Sequence, residues 1–172
     1  MKPLLNNDSL NVDEVFMREA LKEAELAYLE GEVPVGAVLV KDGEIIARAH
    51  NTRESSFSAT AHAETTAIAA ACEVLHGWRL SDTTLYVTLE PCPMCAGAIV
   101  NARVPRVVFG AYDASMGAMG SVLDLVRYPL PFTPTVTGGL LKQECGTLLT
   151  RFFDDQRKNK SKKLRNSVHR QR

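Results

Sequence analysis

The chain has 172 residues, 45% apolar and 23% charged, enough for one domain whose core needs no disulfide staples. Twenty Lys and Arg balance twenty Asp and Glu. That zero net charge argues against a strongly basic nucleic-acid binder and against a disordered polyelectrolyte. The charge is unevenly placed, however. From Arg157 to Arg172 there are eight bases and no acid, which leaves residues 1–156 with a net charge of −8. No run of about 18 apolar residues offers a membrane span, and MKPLLNNDSL lacks the apolar segment of a secretory signal. These features lead us to expect a cytoplasmic protein with a loose polar N-terminus over 1–10, a folded domain over 11–157 and a basic tail over 158–172.

In chain order, Asn11 with Glu14 reads as a capping box that opens a helix. Phe16, Ala20, Ala24 and Ala27 follow at helical spacing, with Gly31 as the stop. Val35–Val40 is a short apolar run expected as a buried strand. Asp42-Gly43 is a tight-turn signal, and Ile45-Ile46-Ala47 is the return strand. Residues 51–60 form a polar loop, and Thr60 caps an alanine-rich helix over 61–75. Residues 83–89 make a third strand. Pro93 suits the first turn of a helix to Ala102, because its missing N–H would have no partner there. A fourth strand covers 106–110, a short fifth 135–137, and a last helix 142–157. Strands alternating with helices, after an opening hairpin, imply a three-layer α/β/α sandwich on a mixed five-stranded sheet.

The chemistry-bearing residues are His62-Ala63-Glu64 and Pro91-Cys92-Pro93-Met94-Cys95. A Cys-x-x-Cys alone is ambiguous: a redox pair, half of a structural zinc site, or chance. Joined by a histidine, it gives one imidazole and two thiolates, a set that zinc accepts. The count matters. Structural zinc sites are normally closed by four protein ligands, while catalytic sites keep a position for water, whose pKa the metal lowers toward neutrality. Glu64, two residues beyond His62 in the same helical turn, supplies a carboxylate for proton transfer. Its simpler reading is an acid complementing the helix dipole. A redox role for the cysteines would leave His62 and Glu64 unexplained. A closed, non-catalytic zinc site would need a fourth ligand, for which Cys145 and His50 are the candidates.

These two motifs together resemble the signature of the zinc-dependent cytidine deaminase superfamily. Pro34-Val-Gly-Ala-Val38, Asn51, Thr60–Glu64, Thr88–Ala98 and Arg106–Ala111 further resemble the bacterial tRNA adenosine deaminases, over roughly Val12 to Phe153. The resemblance implies a cytidine deaminase-like fold and hydrolytic deamination of adenosine to inosine at the wobble position of a tRNA anticodon. It implies one zinc ion per subunit, held by His62, Cys92 and Cys95, with Glu64 as the catalytic proton shuttle. Asn51, Ala63, Asp113 and Phe153 would bind the substrate, and the chain would form a homodimer with no membrane association. The family's usual lysine two residues after this aspartate is replaced by Ser115, so the phosphate contact that a lysine would give is absent. Two alternatives stand beside this reading: a deaminase of a free base or nucleoside, and a non-catalytic zinc-containing RNA-binding module.

Overall fold

The structure is a computed structural model that describes residues 8–169, and the side chains of residues 12–162. The elements are α1 (Asp8–Leu29), β1 (Gly36–Lys41), β2 (Glu44–His50), α2 (Ala63–Val74), β3 (Thr83–Leu89), α3 (Pro93–Asn101), β4 (Arg106–Ala111), β5 (Thr135–Gly138) and α4 (Lys142–His169). They build the expected mixed sheet, in the order β2-β1-β3-β4-β5. β1 runs antiparallel to both β2 and β3, while β3, β4 and β5 are parallel.

Period-two alternation sorts the strand side chains onto two faces. Ala37, Leu39, Leu85, Val87, Val107 and Phe109 join residues of α2 and α3 in the larger core cluster. Val38, Val40, Tyr86 and Val108 join Met17 and Ala20 of α1 and Cys145 of α4 in the other. α1 lies close to the sheet because it is lined with alanine and faces a glycine. A Cβ on Gly36 would sit 2.1 Å from the Ala20 carbonyl oxygen and 2.3 Å from the Ala24 nitrogen.

Three helix boundaries differ from the expectation by two residues or more. α1 starts at Asp8 rather than at an Asn11 cap, because Asp8 and Ser9 suit a helix's first turn as well as Asn11 does. Residues 8–10 of the expected loose N-terminus are therefore helical, and residues 1–7 lie outside the described residues. α2 starts at Ala63 with His62, not Thr60, at the N-cap. Thr60 instead gives its carbonyl to the Thr65 hydroxyl at 2.6 Å and its own hydroxyl pairs with Ser58. α4 does not stop at Arg157 but continues to His169. No Gly or Pro follows Gly146 to break it, and Lys, Arg and Gln are good helix formers. Asp154 and Asp155 pair with Arg157 and Lys158 three residues on.

Candidate metal centre and active-site pocket

The N-termini of α2 and α3 meet beside the C-terminal end of β3, the strand end where open α/β sheets collect ligands. Each helix puts a metal-capable side chain at its N-cap: His62 on α2 and Cys92 on α3, with Pro93 next in the α3 first turn. Neither makes a capping hydrogen bond. A cap that leaves its helix uncapped breaks a local rule, and such breaks gather at functional sites.

The freed side chains converge. His62 Nδ1 lies 3.5 Å from Cys95 Sγ and 3.8 Å from Cys92 Sγ, and all three donor atoms fall within 4.8 Å of one another. Among the described residues no fourth His, Cys, Asp or Glu joins them. The two candidates for a closing ligand are engaged elsewhere. Cys145 packs in the core with α1 and Tyr86, and His50 is held between Glu23 at 3.2 Å and Glu30 at 3.1 Å. One imidazole and two sulfurs, with nothing to close the tetrahedron, fit a zinc ion that keeps an open position.

The electrostatics suit that set. Cys92 is pushed down to about 5: the Cys95 thiol donates to its sulfur, outweighing the cost of burial, and the N–H groups of Cys95 and Met94 and the nearby His62 add to the effect. Cys95 is correspondingly pushed far up, because its thiol keeps the proton that it donates in a hydrogen bond to Cys92 and is itself buried. Glu64 is 4% exposed. Burial raises its carboxyl to about 7, with a further push from the Cys92 charge, against lowering hydrogen bonds from its own N–H and from Cys95.

These groups open into a cavity of ≈ 240 Å³, small enough for one flat base. Its lining comes from three places: Val33, Val35, Asn51 and Arg53 from the segments before β1 and after β2, one wall; His62, Ala63, Glu64 and Cys92 from the starts of α2 and α3, the floor; and Leu89, Glu90, Asp113 and Met116 from the end of β3 and the loops after β3 and β4, the other wall. Of the residues expected to meet substrate, Asn51, Ala63 and Asp113 line this cavity. Phe153 does not: it is 46% exposed on α4, with its ring edge-on to Phe152. The loop after β4 takes its shape from Asp113, whose Oδ1 accepts from the Ser115 N–H at 2.8 Å, the Ser115 hydroxyl at 2.6 Å and the Met116 N–H at 3.1 Å. Ser115 therefore closes an Asx turn here. Burial raises the Asp113 carboxyl, and these bonds outweigh it to leave it lowered.

Two buried carboxylates had no part in the expected site. Glu90, 2% exposed, accepts from the N–H groups of Asp113 (3.1 Å), Met119 (3.1 Å) and Ser121 (3.0 Å) and from the Ser121 hydroxyl. Gly117 lies against it, where a Cβ would come within 2.5 Å of the Glu90 carboxylate and of the Asp113 carbonyl. Glu32, 1% exposed, accepts from Asn51 on the opposite wall. A Glu in Thr88-Leu89-Glu90-Pro91, at the end of a buried strand, was the available signal for the first.

Two helix N-caps given over to metal donors, beside a buried acid, are the arrangement of a metal-dependent hydrolase. The chain belongs to the cytidine and deoxycytidylate deaminase family, whose zinc-binding region it matches over residues 10–111. Within it, a tRNA-specific adenosine deaminase of Bacillus subtilis is 52% identical over 155 residues, covering 90% of this chain and 96% of that protein. A structure from a study of A-to-I editing by tRNA:A34 deaminases superposes with a TM-score of 0.77 at 46% identity, over 78% of this chain and 99% of the other. The structure of a guanine deaminase from Bacillus subtilis is more distant, with a TM-score of 0.55 at 34% identity over 74% of this chain and 88% of its own.

Proposed function

We propose that this chain hydrolyses adenosine to inosine at the wobble position of a tRNA anticodon, with one zinc ion per chain. The observation that carries the reading is the set of three metal donors left open beside buried Glu64 on the floor of a base-sized cavity. His62, Cys92 and Cys95 would hold the zinc, which when bound supplies the Lewis acidity that brings a water near ionisation at neutral pH. Glu64 moves the protons. Its carboxylate takes one from the attacking water and delivers it to the ring nitrogen, then passes the second to the departing amine, so water and adenosine become inosine and ammonia. A group that titrates at about 7 suits both directions at cellular pH.

Around this centre, Asn51 and the Ala63 backbone hold the nucleotide and Asp113 shapes the loop over it. Wobble bases lie in a single-stranded loop, so the target flips out at low cost. Phe153, exposed on α4, offers a face to neighbouring loop bases, and the basic residues from Arg157 to Arg165 lie further along the same helix, where they would meet the RNA backbone. A homodimer, with the α3 face as part of its interface, belongs to the same reading, as does a cytoplasmic location. No helix among the described residues is long and apolar enough to cross a membrane.

The test gives the purified, zinc-loaded protein an anticodon stem-loop with adenosine at the wobble position and, separately, free guanine. The expected result is inosine, read as guanosine on reverse transcription, at that position alone. Ammonia released only from the free base would overturn the reading.

A further inference from the structure

The end of α1 contains an anomaly. Gly31, at φ +82°, closes the helix in a Schellman motif: its N–H donates to the Tyr28 carbonyl at 3.1 Å, and the Glu32 N–H donates to the Ala27 carbonyl at 2.9 Å. The residue after the glycine in this motif normally contributes an apolar contact to the helix. Here it is a carboxylate, nearly sealed from solvent, and among the described residues no Lys, Arg or His forms an ion pair with it. A buried charge without a cation survives only if neutral donors satisfy it.

All its donors come from one place. Oε2 accepts from the Asn51 side-chain Nδ2 at 3.3 Å and from the Glu54 N–H at 3.1 Å, and Oε1 accepts from the Ser55 N–H at 2.6 Å. Burial raises its carboxyl, and the bonds from Ser55 and Glu54, with a smaller pull from the nearby His50, outweigh it and leave it lowered, hence ionised at neutral pH. Asn51 is also tethered through its backbone, by its N–H to the Val35 carbonyl at 3.0 Å. The amide therefore cannot turn over without losing its bond to Glu32. Its Oδ1 accepts no bond from the described residues and is not a sealed-off atom, so it faces the cavity that Asn51 lines.

We propose that Glu32 is a positioning residue for the deamination reaction, fixing the Asn51 amide with its oxygen toward the bound nucleotide and tying down the start of the 51–60 loop. This rests on the reading of the cavity as the site of an adenosine deaminase. Glu32 touches no substrate; it acts through Asn51. The Schellman turn anchors it, so the end of α1 sets the wall of a pocket whose floor is built by α2 and α3.

A double-mutant cycle on full-length, zinc-loaded protein tests it, with wild type, E32Q, N51A and E32Q/N51A acting on the anticodon stem-loop. The E32Q change keeps the size of the side chain but brings an N–H₂ to face donors. The expected loss in kcat/KM for E32Q is about 100-fold, the scale of a misplaced substrate-orienting group, with zinc content unchanged. The double variant should be no slower than N51A alone, and E32D, which keeps the charge, should recover part of the loss. Multiplicative losses in the double variant, or a wild-type rate for E32Q, would overturn the proposal. If E32Q does not fold, the same cycle is run with E32D, and losses that multiply with those of N51A overturn the proposal. Wild-type protein that makes no inosine breaks the functional reading instead, a separate outcome.

Discussion

At the N-terminal ends of β3 and β4, charge is met by charge; at the C-terminal end of β3, it is met by neutral dipoles. On the first side Arg106 grips Asp13 of α1 with two bonds, Nη1 to Oδ1 at 2.8 Å and Nη2 to Oδ2 at 2.6 Å, and the Tyr86 hydroxyl donates to Oδ1 at 2.6 Å. This clasp is partly open to water and holds a helix to the sheet. On the other side Glu32, Glu64 and Glu90 are all buried, and none forms an ion pair among the described residues. Glu32 and Glu90 are stabilised by loop N–H groups, and Glu64 is left close to neutrality. The contrast separates two uses of a carboxylate. A clasp stabilises the fold, whereas a buried acid without a cation costs stability and persists where it shapes or performs chemistry. Changes at the catalytic end should therefore cost activity more than stability, and changes at the clasp the reverse.

The largest effect is expected at Glu64. Glu64→Gln keeps the shape and removes the proton carrier, so inosine formation should fall by more than about 10⁴-fold, above the about 10²–10⁴ of a single acid–base contribution, because Glu64 serves both proton transfers. Bound zinc, measured by atomic absorption, should be unchanged. Melting temperature should hold or rise, because a buried carboxyl without a cation is removed. Retained activity would sink the mechanism, and a large drop in melting temperature would break the contrast between the two ends.

Gly117→Ala tests the Glu90 wall. The new methyl has no room between the Glu90 carboxylate and the Asp113 carbonyl, both 2.5 Å away, so the loop must move. Overpacking of this kind costs about 1–3 kcal/mol, and a displaced wall should lower kcat/KM by roughly 10–100-fold. A variant with lower melting temperature and full activity would show that the 113–121 loop does not shape the site.

The sequence reveals the metal cluster more readily than the walls, for a physical reason. His62 and Glu64 sit within three residues, Cys92 and Cys95 within four, and the donor types are unusual enough together to stand out. Glu32 and Glu90 are ordinary residues in sequence, and what makes them special is donated by backbone N–H groups 22 to 31 positions away, which carry no residue-type signature. The β-branched and aromatic residues in 83–89 and 106–110, and the Asp42-Gly43 turn, expose the sheet because local propensity and turn chemistry agree with the tertiary result. The start of α2 is harder to place, because the capping rule favours Thr60 whereas the structure spends the cap position on His62. The continuation of α4 is legible in principle from the absence of any breaker after Gly146. A run of like charge suggests a solvated tail, but helix propensity and the i,i+3 pairs at Asp154 and Asp155 win.

The smallest effect on catalysis is expected at the clasp. The Asp13 carboxyl is held below its ordinary value chiefly by its bond to Arg106, helped by the Tyr86 hydroxyl and opposed by partial burial. A carboxyl lowered on folding contributes stability above its unfolded pKa of about 3.9, and loses it as pH falls through the folded value. Asp13→Asn should therefore lower stability at pH 7 by about 1 kcal/mol, the scale of a half-exposed bidentate pair. For a domain of this length that is about 2–4 °C in melting temperature. The gap between variant and wild type should begin to shrink as the pH drops below about 3.9 and close below the lower folded value, where the wild-type carboxyl is neutral too. Inosine formation at 25 °C should stay within about twofold, since the clasp touches neither wall nor floor of the cavity and leaves ample folded protein at that stability cost. A gap in melting temperature that does not depend on pH would mean that the clasp works by shape rather than charge. A fall in activity without a fall in stability would mean that α1 transmits the state of one end of the sheet to the other through its C-terminal turn at Glu32.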